Sequence, residues 1–181
     1  GAIGKKLTRA LHALGVNVLI YEPFKKQLDK IGKQNSSTLQ NLLVSSDIIT
    51  IHARIGKNGK PIISKKDFNK MKQKPYIVNT SRSQCIKTAD LIKAYQKKKI
   101  KGFYLDVYDK EPLDTSEKLH KIIDKNIILT PHAAGVSRDI PFKTAEIVAN
   151  EIKKIMQRKN PQFITNPKNL KFIKNKIKNI L

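Results

Sequence analysis

An arginine, a glutamate and a histidine each stand just past a short apolar run in this chain. They are Arg82 in Asn79-Thr80-Ser81-Arg82, Glu111 in Asp106-Val107-Tyr108-Asp109-Lys110-Glu111-Pro112, and His132 in Thr130-Pro131-His132. A planar guanidinium can hold a carboxylate bidentately, which an ammonium does less well. Arg82 is one of five arginines (with Arg9, Arg54, Arg138 and Arg158) in a lysine-dominated chain, so its type is informative. Histidine titrates near neutral pH and suits proton transfer, and a carboxylate beside it orients the ring and stabilises its charged form. Together the three make a clamp for a small carboxylate substrate and a pair that moves a proton.

The runs that precede them are Tyr76-Ile77-Val78, Gly102-Phe103-Tyr104-Leu105 and Asn126-Ile127-Ile128-Leu129. Each reads as a short buried strand, β-branched or aromatic and bounded by turn residues. Helical patterns separate the strands. Leu7, Ala10, Leu11 and Leu14 recur at helical spacing, and Gly15 closes that helix. Asn17 to Tyr21 reads as a strand ending at Glu22. Ser36 or Ser37 caps a helix carrying Leu39, Leu42 and Leu43. Asp47 to Ile51 is a further strand, ending at His52. Ser64 caps a short helix through Met71, Thr88-Ala89-Asp90 opens another, and a long helix runs from about Asp139 to Arg158. Alternation of this kind predicts an α/β fold with a mostly parallel sheet. In such sheets ligands bind outside the carboxyl ends of the strands, where Arg82, Glu111 and His132 fall. Asn160-Pro161 and Asn166-Pro167 mark turns, which divides the chain into a domain over 1–160 and a tail over 161–181.

The formal net charge is +23, from 37 Lys plus Arg against 14 Asp plus Glu. So basic a chain suggests nucleic acid or an anionic membrane as partner. The lysines, however, are scattered over the polar positions of helices and are not interleaved with exposed aromatics. They read as solvated faces, and no nucleic-acid role is assigned. Leu170, Ile173, Ile177 and Ile180 form an apolar stripe in the tail, read as packing on another domain and not as a membrane anchor. No apolar run has the length of a membrane span. Cys85 is the single cysteine, which favours a reducing, cytoplasmic compartment and a small buried apolar role for the thiol. His12 and His120 read as structural, His52 as a polar loop residue, and no metal ligand set is assigned.

The order N-T-S-R, D-V-Y-x-x-E-P, T-P-H resembles the nucleotide-binding domain of the D-isomer-specific 2-hydroxyacid dehydrogenases, from Gly1 to about Pro167. Gly1-Ala2-Ile3-Gly4 resembles the last four positions of a G-x-G-x-x-G turn. The resemblance implies a Rossmann-type doubly wound sheet lacking its first strand, in a chain truncated at its start. The strands at Val18 and Asp47 would then have no partner joining them to the Tyr76 strand, and the isolated chain would be inactive and prone to aggregate.

The resemblance also implies roles. Arg82 would anchor the substrate, His132 would exchange a proton with the substrate carbonyl, and Glu111 would support His132. Gly1, Ala2, Ile3 and Gly4 would face a pyrophosphate, with Gly4 letting the helix pack closely on the sheet. Glu22 would accept bonds from ribose hydroxyls and favour NAD over NADP, with Lys25, Lys26 and Arg54 as possible phosphate contacts. Asn79 and Thr80 would line the cofactor cleft, and Asp106 would bind the nicotinamide carboxamide. Ser83 stands where the family has glycine, a strain if φ there is positive. The implied activity is hydride transfer between NAD(H) and a small 2-hydroxy or 2-keto acid, in a homodimer. The alternative is an NAD sensor of the same fold without catalysis.

Overall fold

A computed structural model of the chain describes residues 1–24, 28–53, 59–114, 116–157 and 159–163. Lys25, Lys26, Arg54 and the stripe from Leu170 to Ile180 lie outside the described residues. The chain divides into two compact units, Gly1–Ala134 and Gly135–Leu181.

The first unit is built on four parallel strands, β1 (Ile48–Ile51), β2 (Tyr76–Asn79), β3 (Gly102–Leu105) and β4 (Ile127–Leu129), in the spatial order β1-β2-β3-β4. Period-two alternation puts Ile49, Ile77, Phe103 and Ile127 in one cross-sheet row on the core face. Ile51, Asn79 and Leu105 form the next row on the same face, and all seven are 5% exposed or less. Against them pack Leu43 of helix α3 (Leu39–Ser45), Leu91, Ile92 and Ala94 of α4 (Thr88–Gln96), and Phe68 and Met71 of the preceding loop. On the other face Ile48 and Ile128 are exposed, and Tyr76 stacks on Tyr104 with ring centroids 5.8 Å apart.

Local chemistry accounts for the helix ends. Helix α1 (Ala2–Ala13) closes at Gly15, whose φ of 73° only glycine adopts cheaply, and Val16 N–H returns to the Leu11 carbonyl at 3.0 Å. Thr38, not Ser36 or Ser37, caps α3, accepting from the Asn41 N–H. A short helix α2 (Lys30–Gln34), unforeseen in the sequence, is capped by Asp29. The segment after Ser64 is a 3-10 turn over Asp67–Lys70, where Asp67 accepts from the Ser64 N–H and hydroxyl.

Two expectations need correction. Asn17 to Tyr21 is not a strand of the sheet: only Ile20 pairs, through one bridge to Ser36 with backbone bonds of 2.8 Å and 2.7 Å. A strand needs a ladder, and among the described residues this segment meets a single partner residue. The strand after Asp47 is not separated from the Tyr76 strand; it pairs with it over the full length Ile48↔Tyr76 to Ile51↔Asn79. Ile49 and Ile51 thereby continue the buried rows begun by Ile77 and Asn79.

Gly102 sets the spacing of β3 and β4. A Cβ there would sit 2.1 Å from the Asn126 carbonyl oxygen and 2.9 Å from the Tyr76 ring. Gly102→Ala is therefore expected to destabilise the protein by about 1–3 kcal/mol, the usual cost of overpacking against backbone that cannot yield. A fall in the urea midpoint at unchanged slope checks this, and an unchanged midpoint refutes the close approach.

The second unit holds α5 (Ile140–Met156), opened by Pro141 in its first turn. Glu151 accepts from Gln162 and Phe163 N–H groups at 2.5 Å and 3.1 Å, folding the following turn onto the helix.

Candidate active site

The level register of the strands carries straight into the loops. Residues after Ile51, Asn79, Leu105 and Leu129 leave the sheet at one edge, so His52, Arg82, Glu111 and His132 come from four successive strand ends. A cleft of about 260 Å³ there is lined by Arg82, Ser83, Gln84, Val107, Tyr108, Asp109, Glu111 and His132. A larger hollow of about 440 Å³ lies at the opposite, amino-terminal ends of the strands, lined by Lys74, Tyr95, Lys98 and Lys101 among others. It contains no proton-transfer pair, so chemistry points to the smaller cleft.

His132 Nδ1 lies 2.7 Å from Glu111 Oε2. A carboxylate only accepts, so the Nδ1 of His132 carries the proton and Nε2 is left for exchange with a ligand. The bond from His132, and then the Tyr108 N–H at 3.0 Å to Oε1, hold the Glu111 carboxyl below the usual glutamate range. Glu111 is thus an anion throughout the neutral range. Both side chains remain more than a third exposed, so the pair is a device for orienting a ring and not a large source of stability.

The His132 backbone is itself under constraint. Its φ is 53°, a left-handed conformation that costs a non-glycine residue about 1–3 kcal/mol and persists only where the surroundings impose it. They do so here through Asp106, which is 2% exposed. Asp106 Oδ1 accepts from the Thr130 hydroxyl at 2.5 Å and the Ala133 N–H at 2.8 Å, and Oδ2 accepts from the Ala134 N–H at 2.9 Å. Burial works to raise its pKa, but these three bonds outweigh it and leave the carboxyl below the usual aspartate value. Both Asp106 oxygens are engaged inside the protein and the residue does not line the cleft. In this structure it secures the loop carrying His132.

Arg82 is exposed at the cleft, with Nη1 donating to the Ser81 carbonyl at 2.6 Å. Its backbone is fixed by Asn79, whose amide donates to the Arg82 carbonyl at 2.9 Å and accepts from the Ser81 N–H and hydroxyl. Asn79, 2% exposed, is therefore the staple of the turn, and Thr80 is exposed beside it. Ser83 is buried without positive φ, so the strain feared for a serine there does not arise.

Gly1 stands as N-cap of α1 with no side-chain cap, Ala2 and Ile3 are exposed, and the first turn contains no acid. The first N–H groups of any helix have no partner within it. A Cβ on Gly4 would meet His52 Cβ at 3.7 Å, an ordinary contact, so glycine is not demanded there for close packing. The same contact brings the start of α1 to the end of β1. His52 bonds Thr50 Oγ1 at 2.9 Å, and burial lowers its pKa. Glu22 is half-buried, and its Oε1 accepts from the Phe24 N–H at 2.9 Å. Among residues the sequence had not singled out, Gln84, Tyr108 and Asp109 line the cleft. Tyr108 and Asp109 lie inside the D-V-Y-D-K-E-P segment, but nothing in that string says which way they turn.

Residues 1–134 match the family described as D-isomer specific 2-hydroxyacid dehydrogenase, NAD binding domain. The chain is 34% identical over 154 residues to a D-3-phosphoglycerate dehydrogenase of Archaeoglobus fulgidus, covering 84% of this chain and 29% of that protein. It is 30% identical over 174 residues to a glyoxylate reductase of Thermofilum pendens, covering 94% of this chain and 50% of that protein. The chain thus spans half or less of these relatives' length. Among solved structures, a D-lactate dehydrogenase with NAD+ from Lactobacillus jensenii superposes with a TM-score of 0.75 at 24% identity, over 92% of this chain and 53% of the other. At that identity the likeness speaks for the fold.

Proposed function

The chain belongs to the NAD-binding domain family of the D-isomer-specific 2-hydroxyacid dehydrogenases, and from that premise we propose that it is the cofactor-binding half of an enzyme that interconverts a small 2-hydroxy acid and its 2-keto acid. The observation that carries the proposal is the convergence of Arg82 with the His132–Glu111 pair on one cleft. When bound, NAD(H) supplies or accepts the hydride at the substrate carbon. Arg82 holds the substrate carboxylate. His132, charged and steadied by Glu111, gives its Nε2 proton to the carbonyl oxygen in the reducing direction and takes it back in the other. The N–H groups of the Gly1–Gly4 turn hold the pyrophosphate, and Glu22 receives the ribose hydroxyls and repels a 2′-phosphate. Asn79 and Asp106 act behind this surface, and Thr80 at its margin.

The NAD-binding domain spans 1–160 in this reading, with 161–181 leading to a substrate domain. The protein works in the cytoplasm as a homodimer. The exposed Phe142, Ile147, Ile152 and Met156 of α5 supply apolar surface that a second copy could cover.

The test is spectrophotometric NADH oxidation by the full-length protein with a panel of 2-keto acids. The expected result is turnover with NADH preferred over NADPH, and a weaker preference in Glu22→Ala. Equal use of both cofactors by the wild type would remove the role given to Glu22. Tight NAD binding without turnover of any keto acid would support a sensor in place of an enzyme.

A further inference from the structure

Tyr108 lines the cleft, yet the chemistry above gives it no task. It is 8% exposed, and its hydroxyl oxygen lies 2.7 Å from the Thr130 carbonyl oxygen and 3.1 Å from that of Leu105. A phenol has one proton, which goes to the nearer acceptor. The Thr130 carbonyl also accepts the His132 N–H at 3.0 Å, closing the tight turn in which His132 holds its φ of 53°. At its other end, the Tyr108 N–H donates to Glu111 Oε1 at 3.0 Å, while Glu111 Oε2 faces His132 Nδ1 at 2.7 Å. One residue therefore touches both partners: its main chain fixes the carboxylate and its hydroxyl fixes the turn that presents the imidazole.

We infer that Tyr108 is a positioning residue for the His132–Glu111 pair, holding the histidine turn in register with the glutamate through its hydroxyl. Its consequence for turnover rests on the reading of His132 as proton donor; the brace itself does not. Burial, then the nearby Asp106 charge, raises the phenol's pKa, so the group stays a protonated donor at neutral pH. Asp106 braces the same turn independently through Thr130, Ala133 and Ala134. Loss of the hydroxyl alone should therefore loosen the turn without unfolding it.

Tyr108→Phe removes the hydroxyl and keeps the ring. Two measurements on the full-length protein decide the matter. Amide hydrogen exchange at His132 should accelerate about tenfold, the scale set by one net hydrogen bond, while the Phe103 amide, bonded to the Asn126 carbonyl in the sheet, keeps its wild-type rate. In the keto-acid assay kcat should fall about tenfold, with KM and the NADH Kd held within about twofold, as for a lost transition-state interaction. Unchanged exchange at His132 overturns the brace. Equal acceleration at His132 and Phe103 also overturns it, because that marks a general loss of stability. Faster exchange at His132 with wild-type kcat overturns the positioning role. A wild type inactive on every keto acid would defeat the functional reading alone, and the exchange comparison would still decide the brace.

Discussion

Replacing His132 with alanine is expected to lower kcat for keto-acid reduction by about a thousandfold, within the range that a positioned general acid contributes. That corresponds to about 4 kcal/mol of transition-state stabilisation. Binding of NADH should be unchanged, because the residues proposed to hold the cofactor, the Gly1–Gly4 turn and Glu22, lie on other elements. The imidazole of His132 presents Nε2 to the cleft, while its Nδ1 is committed to Glu111. Glu111→Gln should lose less, since an amide can still accept from Nδ1 but no longer stabilises the imidazolium. Single-turnover measurements with His132→Ala check this, and turnover within tenfold of wild type would show that the proton comes from elsewhere.

Asp106→Ala is expected to cost about 3 kcal/mol of folding stability, because three hydrogen bonds to one buried carboxylate, each worth about 1.5–3 kcal/mol, are lost non-additively and partly replaced by water. The loss should appear as a lower urea midpoint together with loss of turnover, since the turn that presents His132 is tied to the same carboxylate. The pH dependence has a definite sign. The folded pKa of Asp106 lies below its unfolded value of about 3.9, so its charge contributes stability in full above that value. The contribution is lost as pH falls through the lower folded pKa. Melting temperatures of wild type and Asp106→Asn should therefore differ at neutral pH and converge in strong acid. A difference that stays constant down to strong acid would mean that the charge of Asp106 is not what holds the loop.

Strand ends and turn residues are local features, and they were legible in the string. Apolar runs of three or four residues, bounded by Pro75, Lys101 and Lys125, gave β2, β3 and β4 at their observed positions, and Gly15 closed α1 as its type requires. Parallel pairing then sends every strand's carboxyl end to one edge, so the convergence of Arg82, Glu111 and His132 follows from alternation alone. The pairing partners of a strand are a different matter. The family's strand order leaves Ile48–Ile51 without a partner joining it to the Tyr76 strand, and the structure instead pairs the two directly, because a strand's edge takes whichever neighbour continues its buried rows.

What the amino-acid sequence determined by itself is the edge at which Arg82, Glu111 and His132 gather and the family to which the chain belongs. What only the tertiary structure decided is who holds them. The family resemblance implies cofactor roles for Asp106 and Asn79, and it does not say what holds these residues in the fold. The structure turns both inward, Asp106 toward donors 24 to 28 residues away. The left-handed backbone of His132 and the bond from the Tyr108 hydroxyl to the Thr130 carbonyl, 22 residues apart, were equally hidden. The physical reason is common to all of them. A buried polar atom takes whatever partner the packed neighbours bring within about 3 Å, and that choice is made by pairing across the sheet and not by adjacent residues.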